Sequence, residues 1–418
     1  MRILLLNQAF YPDVVASAQY AADLTRALVE RGHDVTVLCS ARAYDEPGQR
    51  FAAHEIWNGV DIIRVAGTGF GKGKKWKRVA DFASFFMLCA ARAATLPKFD
   101  LVIVMTSPPL ISTIGGLLSR WNASRLVYWT LDLNPDEAIA AGYLRAESNA
   151  ARMLQIVQRF SLRASDAIVV LDEFMQRRVI NQGANVERVH VVPPWARDQE
   201  VRFDRNAREE FRRYHGLSGK FVVMYAGNHS PCHPVDTLLQ VAKTLSMRDD
   251  IAFVFVGGGS EHERVSRYAT SNHLKNVLCL AYHPREKLAG LLSAGDLHVV
   301  LMGDAFVGIV HPCKIYNIVA VGAPFLYIGP EESHIMSMMS SLPTDECAYS
   351  VRHGDVESAI DAVLSAQRCA TRVPLPAQQF SAEVLVPKMV EIIEQAGERC
   401  DTADAKAAIV KCDTISEL

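Results

Sequence analysis

Apolar positions along the chain fall into two kinds of run. Residues 3–6 form a solid aliphatic block, residues 18–31 carry apolar side chains at helical spacing up to Gly32, and residues 34–39 are rich in β-formers. A short solid block reads as a strand buried on both faces, and a spaced run reads as a helix packed on one face. The same grammar predicts strands at 61–65, 101–105, 126–130, 167–171 and 189–192, with helices between most of them, as at 80–95 and 150–164. Buried strands joined by helical crossovers are parallel, which predicts a doubly wound sheet.

The alternation pauses after Pro193-Pro194-Trp195. Residues 196–219 are dense in charge and read as a linker with one exposed helix. A second series follows, with strands at 221–226, 252–256, 277–280, 297–301 and 325–328. Its helices are expected at 235–246, 261–271, 285–293 and 314–321. Residues 380–396 read as a late amphipathic helix, and the polar segment 400–418 reads as a loose tail. The predicted architecture is α/β, with two Rossmann-like doubly wound domains over residues 1–195 and 196–379.

Length and composition agree with this division. A chain of 418 residues is too long for one ordinary core. A formal net charge of -2 gives no global reason to expect nucleic acid. Nine cysteines occur singly with no CxxC pair, which suits reduced thiols in a cytoplasmic enzyme. No apolar run reaches the roughly 18 residues of a membrane span, and the start of the chain reads as a buried strand rather than a signal peptide.

Ligands of open α/β sheets sit beyond the carboxyl ends of the strands. After the first strand, Pro12 and Asp13 precede the small residues Ala16, Ser17 and Ala18, which open either an anion-binding helix start or an ordinary turn. No GxGxxG is present, so a dinucleotide enzyme is not supported. Gly227, Asn228, His229 and His233 follow the first strand of the second series. They suit phosphate binding, or else a plain turn capped by Asp236 or Thr237. Gly257, Gly258 and Gly259 allow a ligand close to the backbone.

Lys314 stands at a helix start, where the macrodipole opposes a cation. A ligand phosphate there would offset that cost; the alternative is a lysine head turned to solvent. His229, Cys232, His233, His311 and Cys313 raise the question of zinc, but their spacing fits no familiar zinc pattern. Asp132, Asp136 and Glu137 follow the strand at 126–130 and suit either acid/base work or helix capping, with Asp132 nearest the strand end. Lys72, Lys74, Lys75, Lys77 and Arg78 surround Trp76 and precede Phe82, Phe85, Phe86 and Leu88. That stretch reads equally as a membrane-surface contact or as a solvated loop before a core helix.

Several of these loops, taken in order over about 330 residues, resemble the bacterial family 4 glycosyltransferases of the GT-B fold, in the branch that makes O-antigen, capsule and exopolysaccharide. They are the Pro12-Asp13 loop, Thr106-Ser107-Pro108-Pro109-Leu110, Asp132-Leu133-Asn134-Pro135-Asp136, Tyr225-Ala226-Gly227-Asn228-His229 and Phe255-Val256-Gly257-Gly258-Gly259. The last is Pro312-Cys313-Lys314-Ile315-Tyr316-Asn317 followed by Gly322-Ala323-Pro324.

The resemblance implies two domains facing a central cleft, with the last helix packing back on the first domain. It implies transfer with retention of configuration from a nucleotide-sugar, a UDP-sugar being favoured, to a glycan or lipid-linked acceptor in cell-surface polysaccharide synthesis, by a cytoplasmic protein expected to be peripheral on the inner face of the cytoplasmic membrane through Lys72–Arg78. No cofactor and no metal are implied. Asp132, Lys314 and His229 take the catalytic positions. The donor lies against Gly227, Asn228, His233, Gly258, Tyr282, Phe306, Gly308, Ile309, Val310 and Asn317, with the base near Tyr282. Pro12, Asp13 and Ser17 face the acceptor.

Two departures stand out. Relatives carry two glutamates eight apart where this chain has Ile309 and Asn317. Asn317 can still bond a ribose hydroxyl, while sugar contacts at Ile309 fall to the backbone N–H groups of Ile309 and Val310. Asn228 and His233 stand near the places of a usual Arg and Lys, leaving Lys314 as the strong cation, and Asp132 stands where relatives have a histidine. A GT-B sugar-nucleotide epimerase and a non-catalytic nucleotide-sugar-binding homologue are the alternative readings.

Overall fold

The structure is a computed structural model of the chain, and it describes residues 1–44, 48–71, 75–196, 201–341, 348–369 and 378–413. The chain divides into two compact units, Met1–Val192 with Val386–Leu418, and Pro193–Leu385.

The first unit is an eight-stranded sheet in the order β3-β4-β2-β1-β5-β6-β7-β8. Its strands are β1 (Arg2–Leu6), β2 (Asp34–Ser40), β3 (His54–Trp57), β4 (Val60–Val65), β5 (Leu101–Val104), β6 (Arg125–Trp129), β7 (Ala167–Val170) and β8 (Val189–Val191). The helices are α1 (Ala16–Glu30), α2 (Lys75–Ala94), α3 (Ser112–Asn122), α4 (Asp136–Ala140), α5 (Asn149–Ala164) and α6 (Glu173–Asn181). The aliphatic blocks at β1, β5 and β7 are wholly buried because helices cover both faces of a parallel sheet. Only β3 runs antiparallel, paired with β4 at the edge. It was not read from the sequence, although Asn58-Gly59 marks its hairpin. Both residues sit at positive φ, 48° and 80°, as a tight two-residue hairpin turn requires.

The second unit holds α7 (Arg205–Tyr214), β9 (Phe221–Ala226), α8 (Asp236–Thr244), β10 (Ile251–Val256), α9 (His262–Ser271), β11 (Val277–Leu280) and α10 (Leu288–Ala294). It continues with β12 (Leu297–Leu301), α11 (Lys314–Ala320), β13 (Phe325–Ile328), α12 (His334–Ser340), β14 (Ala348–Val351) and α13 (Val356–Cys369). Its six-stranded sheet has the order β11-β10-β9-β12-β13-β14, parallel throughout. One core layer packs Phe221, Val223, Tyr225, Phe253 and Phe255 against α8 and α13. Another packs Ile315, Ile318, Val319 and Ile335 against the opposite face.

Two expectations need correction. The helix at 205–214 is not simply exposed. Arg212 is buried, and its guanidinium donates to the Ala294 carbonyl twice, at 2.8 and 2.9 Å, and to Asp296. Asp296 also accepts from Arg208 at 2.6 Å and from the Val222 N–H at 2.8 Å. The charge-dense sequence is thus a buried arginine–carboxylate clamp closing the C-terminus of α10, not a solvated face. The helix expected at 380–396 is likewise longer, since α14 (Ala382–Asp413) keeps its backbone helical to Asp413. Ala403, Ala405, Ala407 and Ala408 carry the strongest intrinsic helix preference there. Within the first unit, His33 bonds Glu394 of α14 at 3.0 Å, and Lys388 donates to the Val191 carbonyl at 3.1 Å.

Candidate functional site

In each unit the strand order reverses next to the first strand of its series. β1 lies between β2 and β5, and β9 lies between β10 and β12. Crossovers on the two sides of such a point leave on opposite faces, so the loops after the two strands open a crevice at their carboxyl ends.

In the second unit the loops after β9 and β12 are tied together there. The Gly303 N–H donates to the Cys232 carbonyl at 2.9 Å, and His233 Nδ1 donates to the Leu301 carbonyl at 2.8 Å. The β10 loop joins them, with the His229 N–H donating to the Gly258 carbonyl at 2.7 Å. Here the glycines have a structural purpose that the sequence reading had given to a ligand. A Cβ at Gly257 would run into the Gly227 carbonyl, and one at Gly259 into the His229 carbonyl. Only at Gly258 does the missing side chain make room elsewhere, beside the half-exposed ring of Tyr282, 2.9 Å from where a Cβ would lie.

Lys314 is the centre of this arrangement. Its Nζ sits 3.6 Å from the centroid of the Tyr225 ring and beside Gly227. It is buried and makes no hydrogen bond among the described residues. The ring face contributes on the order of 1–2 kcal/mol to a desolvated ammonium, which does not replace three lost hydrogen bonds to water. Burial therefore pushes the lysine down to about 7. His229 is fully buried at 4.7 Å from the Tyr225 ring and 4.8 Å from that of His262, and neither ring nitrogen has a hydrogen-bond partner among the described residues. Burial first, and Lys314 second, push it down to about 3; the same two causes act to the same extent on His233. Both imidazoles are neutral at pH 7, so Lys314 is the cation of the group. A cluster that offers buried donors and no carboxylate is chemically suited to an anion.

Asn317 lies one helical turn beyond Lys314, half-buried. Phe306 is buried in the turn after β12. Ile309 and Val310 require a correction. Their side chains point into the core, and both N–H groups donate to the Phe306 carbonyl, at 3.0 and 3.2 Å. The turn that follows β12 consumes the donors that the sequence reading had assigned to a sugar. Asn228 is exposed, with its carbonyl accepting from the Tyr225 hydroxyl at 2.8 Å. Of the five zinc-type side chains, His311 bonds the Tyr316 hydroxyl at 2.7 Å and stacks on His334 at 3.7 Å, while the Cys313 thiol donates to the His311 carbonyl. Among the described residues no three of those five meet around a point.

In the first unit the loops after β1 and β5 meet through the Gln8 N–H and the Ser107 carbonyl at 2.6 Å. Asp13 is committed to that scaffold, accepting from the Tyr44 N–H at 2.7 Å. Pro12 is exposed, and Ser17 is half-buried in the first turn of α1, a helix start with no side-chain cap and no acidic residue. The three carboxylates after β6 separate clearly. Asp136 pairs with Arg178 at 2.9 Å and with Gln182, and Glu137 accepts from Asn134 at 3.3 Å. Asp132, half-buried, makes no hydrogen bond or ion pair among the described residues; burial and then the Glu137 charge push it up to about 8.

Lys72 and Lys74 of the basic loop, and the side chains of Lys75 and Arg78, lie outside the described residues, while Trp76 is exposed. Tyr225 stands in the motif that carries the resemblance, but its place beneath Lys314 was not read from the sequence, and His262 was missed altogether.

The Glycosyl transferase 4-like domain matches residues 16–195, and Glycosyl transferases group 1 matches residues 207–312. The chain belongs to the family 4 glycosyltransferases of the GT-B fold. Among similar glycosyltransferases is the putative colanic acid biosynthesis glycosyl transferase WcaI of Escherichia coli K12, 24% identical over 344 residues, covering 77% of this chain and 82% of that protein. GT-B structures with the same fold include a sucrose-phosphate synthase from Thermosynechococcus elongatus, with a TM-score of 0.72 at 15% identity over 94% of this chain and 98% of that one. Anabaena Alr3699/HepE in complex with UDP and glucose matches with a TM-score of 0.69 at 14% identity, over 94% and 99% of the two chains.

Proposed function

We propose that this glycosyltransferase moves a sugar from a UDP-sugar to a glycan or lipid-linked acceptor in cell-surface polysaccharide synthesis, with retention of configuration and without a metal. The observation that carries the reading is Lys314, a buried cation without a hydrogen-bonding partner among the described residues, at the β9/β12 switch point. Charge develops on the diphosphate as the glycosidic bond breaks. A preorganised ammonium in a dry site stabilises that charge more than the ground state. Lys314 thereby supplies the positive charge a divalent ion would otherwise give. Neutral His229 adds an N–H donor without a second positive charge.

Asn317 is assigned to a ribose hydroxyl, and the ring of Tyr282 beside Gly258 offers a surface for the base. Asp132, the carboxylate of its loop without a hydrogen bond or ion pair among the described residues, is assigned to the acceptor hydroxyl. The UDP in the solved neighbour supports the nucleotide, and the colanic acid relative supports the acceptor class.

The test is incubation of the purified chain with labelled UDP-, GDP- and dTDP-sugars. Tight binding of a UDP-sugar with slow release of UDP is expected, and a product anomer matching the donor's when an acceptor is present. Binding with neither hydrolysis nor transfer would favour the non-catalytic reading. Inversion at a sugar carbon without transfer would favour an epimerase.

A further inference from the structure

His229 is pinned along its backbone and unpinned at its ring. Its N–H donates to the Gly258 carbonyl at 2.7 Å, and its own carbonyl accepts from the Glu261 N–H at 3.1 Å. The Gly227 and Gly258 carbonyls also stand near the imidazole, yet neither ring nitrogen has a hydrogen-bond partner among the described residues. A neutral imidazole is ordinarily fixed in tautomer and orientation by the hydrogen bond its second nitrogen makes. Here rings take that part. Tyr225 stands edge to face with His229 at 4.7 Å and 75°, and His262 does so at 4.8 Å and 78°. Phe255 is tilted against the same ring at 6.2 Å.

These three walls differ in what else they do. Tyr225 and Phe255 are partners in register on β9 and β10 and fill the core layer against α8 and α13, and Tyr225 also lies beneath Lys314. His262 is half-buried at the first position of α9, outside the strands. Its backbone N–H donates to the Gly259 carbonyl at 3.2 Å, and the residue before it, Glu261, is the one that bonds the His229 carbonyl. The start of α9 and the loop after β9 are thus tied together, and the tie brings the two imidazoles into contact.

Without the His262 wall, the buried N–H of His229 turns to an acceptor within reach, because leaving it unpaired is costly. The Gly227 and Gly258 carbonyls are the acceptors beside it. A ring bonded to either one has its N–H occupied, and an arriving diphosphate must break that bond first.

We propose that His262 is a positioning residue: its ring holds the His229 imidazole off the Gly227 and Gly258 carbonyls and keeps the ring N–H available to the diphosphate of the nucleotide-sugar. The inference rests on the assignment of Lys314 and His229 to that diphosphate.

Calorimetric titration of the full chain with UDP at pH 8 tests it. His229→Ala weakens binding by roughly 10- to 150-fold, through loss of a charge-assisted hydrogen bond. His262→Ala weakens it by roughly 2- to 13-fold, the equivalent of the neutral hydrogen bond that must be broken first. In the His229→Ala background the same change has no further effect, since a residue that acts through His229 has nothing left to position. His262→Phe keeps a ring in place and recovers most of the loss. Proton uptake on UDP binding, which Lys314 supplies, stays at the wild-type value in both His262 variants. Alanine suits a helix start, and an unchanged thermal midpoint verifies the fold.

Any of four results overturns the proposal. Lys314→Met with wild-type UDP affinity removes the underlying reading, and this inference with it. His262→Ala with wild-type affinity, while Lys314→Met and His229→Ala both weaken binding, overturns the inference and leaves that reading standing. Equal loss from His262→Ala in the wild-type and His229→Ala backgrounds shows that His262 does not act through His229. No recovery by His262→Phe shows that the ring is not what acts.

Discussion

Lys314 makes a quantitative prediction. With the lysine held at about 7, roughly nine-tenths of it is neutral at pH 8. A diphosphate against Nζ restores the charged form, so UDP binding at pH 8 takes up about 0.9 proton, against about 0.5 at pH 7. His229 and His233, held at about 3, stay neutral across this range and contribute none. The nucleotide's own phosphates are ionised by pH 8, so the uptake belongs to the protein. Calorimetric titration with UDP in two pH 8 buffers of different ionisation enthalpy measures it directly. Affinity should fall about tenfold from pH 8 to pH 9. Lys314→Met should abolish the buffer dependence and weaken binding by roughly 10- to 150-fold, the range for a lost charge-assisted hydrogen bond. The same shift acts on stability. A depressed lysine destabilises the fold below pH 7, and that penalty is relieved as pH rises towards 10.5. The methionine variant should therefore unfold at higher temperature than wild type at pH 7 and lose that advantage by pH 10. Zero proton uptake at pH 8, or equal uptake by the variant, would refute the placement of the diphosphate on Lys314.

Three further predictions concern two other sites. Asp132→Asn should lower kcat by tenfold or more while leaving UDP affinity within about twofold, measured by steady-state kinetics beside calorimetry. Because folding raises the Asp132 value, the native carboxyl loses stability as pH climbs from about 4 through 8, and the asparagine variant should show a flatter midpoint over that window. Arg212→Ala removes four hydrogen bonds, two to the Ala294 carbonyl, one to the Lys220 carbonyl and one to Asp296, and leaves Asp296 with Arg208 as its cationic partner. A cost of about 3 kcal/mol is expected, a drop of roughly 6–12 °C in the unfolding midpoint, readable by calorimetry.

The fold was legible because both units obey one rule: solid aliphatic blocks are parallel strands, and spaced runs are their crossovers. Where that rule does not apply, the reading lost detail. β3 is an edge strand, exposed on one side, so it lacked an aliphatic block; only Asn58-Gly59 betrayed it. The charge-dense segment around Arg212 looked solvated because sequence does not show that Asp296, over eighty residues away, closes the clamp. The site was legible by loop rather than by atom. Lys314, His229 and His233 come from loops that the switch point gathers, but the ring of Tyr225 beneath the lysine comes from inside a strand. The N–H groups of Ile309 and Val310 could not be judged either, since their shared acceptor at Phe306 depends on how tightly the chain turns after β12.

The crossing of the β9 and β10 loops bears on how this chain should be compared with its relatives. Gly257 and Gly259 lie so close to the carbonyls of Gly227 and His229, neighbours in the same scaffold, that neither has room for a side chain. Selection on folding alone would keep them, even in a lineage that had stopped handling sugars. Ancestry can therefore be traced through those glycines, whereas present-day activity has to be judged at Lys314, Asn317 and Asp132, which the scaffold does not need.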